Sequence, residues 1–353
     1  MSENYIKLYT ATGAVDSAFF LSEGSVYFYA SNVDKYAISG KNLIIGSTEI
    51  IMKHLLNIDT DRIETAVAEG GSAVKKISAD KFIAGLRTYS FALNASMVLA
   101  KQVFLTNQIL HKNMTELNGE EKKIRDNAVA YYNILARMQQ EYEKRRIPWL
   151  KELIEEFVNS LTYKKGEAYC KTSEPSHIST SSALSDKDIA YERGAVICEE
   201  DTPGSEMYIL KSGAVDVFVR GVRISTIDEP GMIVGETSLL LDTNRTATLK
   251  AKSRTVVTKI TKDDLKEVAD KQQDFLSGIA MALAKRHYFN VARIESVNKT
   301  MIGQVLDREI MGGDKKEVLA KRAHKDLQML KDRLDDAARE KKSDFLHELI
   351  ENT

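Results

Sequence analysis

The segment from Gly231 to Ala251, GMIVGETSLLLDTNRTATLKA, constrains the fold of this chain more than any other stretch. An apolar run at 232–234 predicts a strand, and Gly235 after it permits backbone angles that other residues avoid. The residues that follow can open a short helix, whose free N–H groups favour an anion. Arg245 adds a planar fork of donors suited to phosphate oxygens, whereas the Glu236 carboxylate accepts from hydroxyls such as those of a ribose. The segment therefore offers binding groups for both parts of a sugar phosphate.

GETSLL followed by NRTATLKA resembles the phosphate-binding cassette of the cyclic nucleotide-binding domain family. The flanking sequence agrees with this resemblance over about residues 185–290, with a predicted strand at 204–210, a hairpin turn at 211–213 and alternating valines at 215–219. The family includes catabolite-activator-type regulators, kinase regulatory subunits and nucleotide-gated channels. The resemblance implies a β-roll followed by a helix, here about residues 273–294, that closes over the nucleotide and carries the signal.

The resemblance also implies a set of ligand-binding residues. These are Gly235, Glu236, Thr237, Ser238, Arg245, Thr246 and Ala247 of the cassette, with Val217 and Ile224 as apolar walls. Thr246 is expected to touch the phosphate or the base. The expected ligand is cyclic AMP in preference to cyclic GMP, although a threonine after the arginine occurs in family members that bind either base. A cyclic dinucleotide is a lesser alternative, because the cassette suits one cyclised phosphate.

The first half of the chain resembles a second copy of the same pattern. LIIGSTEIIM at 43–52 is similar to MIVGETSLLL at 232–241, and ETAVAEGGSAVKKISADKF at 64–82 is similar to RTATLKAKSRTVVTKITKDDL at 245–265. In this alignment Ser47 stands at the place of Glu236 and Glu64 at that of Arg245, while Arg62 lies two positions away along the strand. Since a carboxylate repels a phosphate, the first copy is predicted to be degenerate and unable to bind a nucleotide. The alternative is an unrelated β-rich domain.

Helical periodicity dominates the rest of the chain. The stretch from Phe82 to Leu105 has too many apolar residues for an exposed helix, so it is expected to be buried against other protein. Pro148 predicts a stop or kink. Residues 163–186 are rich in serine and threonine, include Gly166 and Pro175, and predict a linker or polar loop. In the tail, a short seam from Leu319 to Ala337 suits a coiled coil or a packed amphipathic helix equally.

These patterns predict an α+β fold, in which two cyclic nucleotide-binding-type β-rolls of jelly-roll-like form are joined and followed by long α-helices. The expected boundaries are a degenerate first domain with its helix at 1–110, a helical linker at 111–165, a cyclic nucleotide-binding domain with its helix at 166–295, and a charged helical tail at 296–353.

Composition argues against several classes of protein. The net charge of −1 gives no bulk case for nucleic-acid binding. Cys170 and Cys198 form no C-x-x-C pair, which fits a reducing compartment. The N-terminus lacks the pattern of a signal peptide, and the most apolar stretch, 88–100, is too short to span a bilayer. A soluble cytoplasmic protein is therefore expected.

No catalytic, metal or cofactor site is expected either. The six histidines are scattered, and no nucleophile stands in a known motif with a base. No compact helix-turn-helix follows the second β-domain, which argues against transcriptional control.

The leading interpretation is a non-enzymatic cytoplasmic regulator, a second-messenger sensor that binds a cyclic nucleotide at its second domain. Binding is expected to change helix packing and the contacts with a protein partner, or self-association, through the helices. The alternative is a scaffold protein that kept the fold, lost the ligand and docks its partners constitutively.

Overall fold

The computed structural model describes residues 5–115, 119–170, 186–219, 221–272, 274–311 and 315–351. The chain divides into two compact units, which we call unit one (residues 1–110 and 173–295) and unit two (residues 111–172 and 296–353). Unit one contains antiparallel β-sheets with helices, and unit two is helical. The predicted α+β class is confirmed. Within the described ranges, no helix combines the length and the apolar character needed to cross a membrane.

The first β-domain of unit one is a five-stranded sheet in which one long strand pairs with three others. The strands are β1 Ile6–Tyr9, β2 Ser17–Tyr29, β3 Lys35–Ile45, β4 Thr65–Ala68 and β5 Val74–Ser78, and their order is β1-β4-β2-β3, with β5 also on β2. Helix α1 (Ser47–His54) lies between β3 and β4, and α2 (Ala79–Gly85) and α3 (Tyr89–Thr115) follow the sheet. Both interpretations of this half, a second copy or an unrelated β-rich domain, predict strands here, and the structure contains them.

The second β-domain consists of two four-stranded antiparallel sheets. The strands are β6 Asp188–Tyr191, β7 Val196–Cys198, β8 Glu206–Ser212, β9 Val215–Val219, β10 Val222–Ile227, β11 Ile233–Val234, β12 Thr248–Ala251 and β13 Thr255–Thr261. One sheet has the order β10-β9-β12-β7 and the other β11-β8-β13-β6. Helix α7 (Glu236–Leu241) follows β11, while α8 (Asp264–Lys271) and α9 (Phe275–Met311) follow the last strand.

The side chains of strand β8 are buried on both faces of its sheet. Tyr208 and Leu210 lie in the apolar cluster between the two sheets, whereas Met207 and Ile209 belong to a second cluster that includes helical residues. All four side chains are buried, because alternate residues of a strand point to opposite faces and both faces are covered here.

That second cluster joins the two β-domains into one core. It contains Leu99 and Val103 of α3, together with Ile279 and Leu283 of α9. The expected burial of the apolar face of α3 is therefore confirmed, while cover by a separate protein stays a prediction. The chain's own second domain and α9 supply the cover, since Leu99 and Val103 are 0% and 2% exposed.

Unit two is a helical assembly of α4 Gly119–Arg145, α5 Pro148–Phe157, α6 Leu161–Cys170, α10 Lys315–Lys341 and α11 Asp344–Glu351. Buried residues of α4, α5, α10 and α11 share one apolar cluster, so the segments expected to be a linker and a tail pack together. Within this unit α10 is a packed amphipathic helix, while a coiled coil with another chain stays a prediction.

The predicted polar loop at 163–186 is wrong over its first part, because residues 161–170 form α6; residues 171–185 lie outside the described residues. Gly166, whose presence favoured the loop, instead allows close packing. A Cβ there would collide with the carbonyl oxygen of Ala128 and the Cβ of Tyr132 on α4.

A buried polar network crosses unit one between the first β-domain, α3 and α9. His287 of α9 has no exposed surface; its Nε2 lies 3.0 Å from the Tyr36 hydroxyl and its Nδ1 lies 2.8 Å from Thr48 Oγ1. Tyr36 donates to Glu64 at 2.8 Å, and Gln102 Nε2 donates to the other Glu64 oxygen at 3.0 Å. Burial lowers the pKa of His287 to about 3, whereas burial and the nearby charge of Glu49 raise the pKa of Glu64.

The lowered pKa of His287 predicts a pH dependence of stability. In the unfolded chain His287 has its ordinary pKa of 6.5, whereas in the folded protein its pKa is about 3. The contribution of His287 to stability therefore falls as the pH drops through 6.5. Glu64 acts oppositely, with a contribution that is lost as pH rises through its raised pKa. When the pH is lowered from about 7.5 to about 5.5, the unfolding free energy of the wild type should fall by about 1 kcal/mol more than that of His287→Gln. Denaturant titration at the two pH values measures this difference. Equal losses in both proteins would contradict a neutral, buried His287.

Candidate functional site

Gly235 and Arg245 form the centre of the segment 235–245, which we call the second cassette. Gly235 follows β11 with a φ of +81°, a backbone conformation that L side chains rarely adopt. Its carbonyl oxygen accepts from the N–H of Leu239 at 3.2 Å and from Arg245 Nη1 at 3.3 Å. A Cβ at position 235 would collide with that guanidinium nitrogen. Glycine is therefore required both by the backbone angle and by the approach of the arginine.

Arg245 is 4% exposed and is held from several sides. Its guanidinium lies 5.5 Å from the ring centroid of Tyr208, and Nη2 lies 3.6 Å from Glu206 Oε2. Its backbone N–H donates to the carbonyl of Thr202 at 2.7 Å. Burial alone would raise the pKa of Glu206, but hydrogen bonds from Ser205 and Tyr208 and the charges of Lys259 and Arg245 hold that pKa below its usual value. A carboxylate therefore faces Arg245 from β8 at a distance longer than a hydrogen bond.

Glu236, the first residue of α7, is 0% exposed and paired with a residue of α9. Its Oε1 accepts from Arg286 Nη1 and, at 3.2 Å, from Thr237 Oγ1. Arg286 also donates through Nη2 to the carbonyl of Ile233 at 3.0 Å, so it connects α9 to the end of β11. Glu236 Oε2 is buried and has no hydrogen-bond partner among the described residues. An unsatisfied buried acceptor is costly, and a hydroxyl donor would relieve that cost.

The other predicted site residues lie in different environments. Ser238 is buried and donates to the carbonyl of Asn244 at 3.3 Å, so it holds the cassette loop. Val217 and Ala247 line the apolar cluster between the two sheets, and Thr246 is exposed. The side chain of Ile224 lies outside the described residues. The structure thus brings Gly235, Glu236, Thr237, Ser238 and Arg245 together, with Val217 and Ala247 in the adjoining core.

Sequence reasoning missed Arg286, Glu206 and Tyr208 as parts of this site. Arg286 is 50 residues beyond Glu236, so no local motif links them. The available signal was the basic triplet Lys285, Arg286 and His287 within a largely apolar helix. Among the described side chains, no group of three His, Cys, Asp or Glu is placed to hold a metal ion.

The first β-domain contains a similar arrangement, which we call the first cassette (residues 46–62). Gly46 precedes α1 with a φ of +80°, and its carbonyl accepts from Arg62 Nη1 at 2.9 Å. The Arg62 guanidinium lies 4.4 Å from the ring centroid of Tyr9. These contacts parallel those that Arg245 makes with Gly235 and Tyr208.

The alignment that placed Glu64 at the position of Arg245 is therefore wrong by two residues. Arg62 lies three residues before Thr65, where β4 starts, just as Arg245 lies three residues before Thr248, where β12 starts. The glycine and the arginine are 16 residues apart in the first cassette and 10 in the second, so the longer connection concealed the correspondence. Glu64 instead bonds to Tyr36 and Gln102.

Comparison with known proteins decides the family of the second β-domain. The model of the cyclic nucleotide-binding domain family matches residues 188–272. The chain contains a cyclic nucleotide-binding domain. The first β-domain lies outside the matched residues, so its origin as a second copy stays a prediction.

Curated relatives match the same domain. A cAMP-dependent protein kinase regulatory subunit from Aspergillus niger is 34% identical over 89 residues, which are 25% of this chain and 22% of that protein. A cGMP-dependent protein kinase from Toxoplasma gondii is 36% identical over 63 residues, 18% of this chain and 6% of that protein. The chain thus spans only a small part of the length of these relatives.

Solved structures give weaker likenesses. The cAMP-bound form of PfPKA-R is 16% identical with a TM-score of 0.25, covering 84% of this chain and 78% of that one. A cyclic nucleotide-binding-like protein from Brucella abortus is 24% identical with a TM-score of 0.23, covering 25% and 79%. TM-scores of this size carry no weight for the overall arrangement.

The contact between Gly235 and Arg245 predicts the effect of a single methyl group in the cyclic nucleotide-binding domain. Gly194 has a similar φ of +87°, but a Cβ there meets nothing within 4 Å among the described residues. Gly194→Ala should therefore lower the unfolding free energy by only the backbone cost, about 1–2 kcal/mol. Gly235→Ala should lower it by about 1 kcal/mol more, because Arg245 must move. Denaturant titration of both variants tests this, and equal losses would contradict the close approach.

Proposed function

We propose that the second cassette binds a cyclic nucleotide and that the protein is a non-enzymatic cytoplasmic regulator. The observation that carries the proposal is the buried, unsatisfied Oε2 of Glu236 in the same cassette as the Gly235–Arg245 contact. A carboxylate oxygen that lacks a donor suits a ribose hydroxyl, and a guanidinium suits a cyclic phosphate. The match of the family to residues 188–272 supports this assignment.

Ligand binding in this proposal exchanges internal contacts for contacts with the nucleotide. The cyclic phosphate pairs with Arg245, whose nearest carboxylate, on Glu206, is 3.6 Å away in the free protein. The ribose hydroxyl donates to Glu236 Oε2, while Oε1 stays with Arg286. Val217 and Ala247 provide apolar surface for the rest of the ligand. Cyclic AMP is expected ahead of cyclic GMP, and competition titrations with both and with cyclic dinucleotides decide the preference.

The regulatory step follows from the position of Arg286 on α9. A ligand can shift a conformational equilibrium only through contacts that differ between the two states. Glu236 is shared between the ligand and α9, so occupation of the cassette changes the stability of α9 packing. We propose that protein partners, or a second copy of the chain, recognise this change through the helices. In the scaffold alternative no nucleotide binds, and Arg245 remains facing Glu206 permanently.

Substitution of Arg245 tests the phosphate contact. Arg245→Ala should weaken cyclic AMP binding by at least about tenfold, since a hydrogen bond to a charged group contributes about 1.5–3 kcal/mol. Arg245→Glu should abolish binding, because repulsion replaces attraction. The matched control is Arg254→Ala, which removes an exposed arginine of the same domain. Calorimetry measures affinity and circular dichroism checks folding. Wild-type affinity in folded Arg245→Glu would place the ligand elsewhere and favour the scaffold alternative.

Substitution of Arg286 tests whether α9 supports the ribose acceptor. Arg286→Ala leaves the buried Glu236 carboxylate without its counter-ion, which is strongly destabilising in buried pairs, about 3–5 kcal/mol. The side chain of Arg286 is 24% exposed, so the loss here should lie below that range. Nucleotide affinity should fall several-fold, and Arg286→Lys should restore part of both losses. Calorimetry and thermal unfolding measure them; unchanged affinity in Arg286→Ala would show that Glu236 needs no support from α9.

A further inference from the structure

In the first cassette the arginine is already paired with a carboxylate of the same chain. Arg62 Nη1 donates to Glu49 Oε2 at 2.8 Å as well as to Gly46, and Nη2 donates to the carbonyl of Ser17. The side chains of Arg62 and Glu49 are both 1% exposed. Glu49 is fixed further by the backbone N–H of Ile63, at 3.1 Å from Oε1. A phosphate would have to displace this buried carboxylate, whereas Arg245 faces Glu206 at 3.6 Å.

Helix α9 contacts the first cassette through His287. His287 reaches Thr48, the second residue after Gly46, and Thr48 corresponds to Thr237, the second residue after Gly235. Because Tyr36 donates to Glu64, a neutral His287 can donate from Nε2 to Tyr36 and accept at Nδ1 from Thr48. The separation of 3.7 Å between His287 and Glu64 is then not an ion pair.

The same face of α9 continues along the first β-domain. Asn290 donates to Thr106 Oγ1 at 3.0 Å and to Asn107 Oδ1 at 2.9 Å, both on α3. Val291 and Ile294 belong to the apolar cluster of the first sheet. These residues recur three and four positions apart, as one helix face requires. The first β-domain therefore holds α9 through one continuous stripe from His287 to Ile294.

Arg286 and His287 place the two cassettes on adjacent residues of one helix. Arg286 bonds to Glu236 of the second cassette, and His287 bonds to Thr48 of the first. Neighbouring residues on an α-helix point about 100° apart, so one rigid element contacts both sites at the same level. Both contacts therefore depend on the position of one helix.

We propose that the first cassette is an internal docking site for α9, which clamps the helix in the position that supports Glu236 and so sets the affinity of the second cassette. The first β-domain then acts as a regulatory domain whose ligand is the His287 face of this same chain. The effect on nucleotide affinity rests on the proposed function, but the docking and its link to the second cassette do not. Undocking lowers the population of the binding-competent state and weakens apparent affinity in proportion.

Hydrogen exchange on the nucleotide-free full chain tests the docking. His287→Ala should accelerate exchange in three segments: α9 at 275–295, the first cassette and the second cassette. The control is His324→Ala, which removes an exposed histidine from α10, outside both cassettes and α9, and should change none of them. If His287→Ala fails to fold, Thr48→Val removes the hydroxyl partner of Nδ1 at similar volume and should produce the same pattern. Acceleration that spares the second cassette, or no acceleration, would overturn the proposal.

Calorimetry with cyclic AMP supplies the second measurement. Affinity should fall about fivefold or more in His287→Ala or Thr48→Val, and should be unchanged in His324→Ala. Unchanged or tighter binding in a folded His287→Ala protein would overturn the clamp. A wild-type chain that binds none of the cyclic nucleotides would end the proposed function, while the exchange measurement would still decide the docking.

Discussion

The burial of the Glu236 carboxylate is the constraint on which the candidate site depends. With no exposed surface, it must find its counter-charge inside the protein, and Arg286 of α9 supplies it. This requirement ties a six-residue helix in the second β-domain to a helix 50 residues further along. The apolar cluster of α3 and α9 completes the arrangement, because it fixes the position from which Arg286 can reach.

The two cassettes show how the same local geometry can have different outcomes. Each has a left-handed glycine before a short helix and an arginine that donates to the glycine carbonyl. In the first cassette a carboxylate lies at hydrogen-bond distance from the arginine, 2.8 Å away, and in the second the nearest oxygen of Glu206 is 3.6 Å away. In the second, moreover, an acceptor on Glu236 remains unsatisfied. The second arrangement therefore offers a ligand both an unpaired carboxylate oxygen and an arginine with no carboxylate at hydrogen-bond distance in the part of the chain that the structure describes. In the first, Nη1 of Arg62 is already paired with Glu49, although its Nε has no hydrogen-bond partner among the described residues.

The sequence alone predicted the parts of the fold and site that arise from local patterns. Alternating apolar residues located the strands, and the spacing of Gly235, Glu236 and Arg245 located the second cassette. It could not predict the partner of Glu236, because that pairing is a product of tertiary packing. The sequence alignment matched Arg245 with Glu64 instead of Arg62. The similarity of the strands that follow dominated this alignment, although the connection between the glycine and the arginine differs in length between the two cassettes. Gly166 suggested a loop, although close packing of two helices was the reason for it.

The adjacency of Arg286 and His287 limits how the chain can vary in evolution. The loops between the second cassette and α9 can change in length, since the helix is positioned by its packing. Inserting one residue within α9 between Leu283 and Arg286 would instead rotate both contact residues by about 100° relative to the apolar face. The helical phase of this part of α9 therefore has to be conserved, since the contacts with both cassettes depend on it.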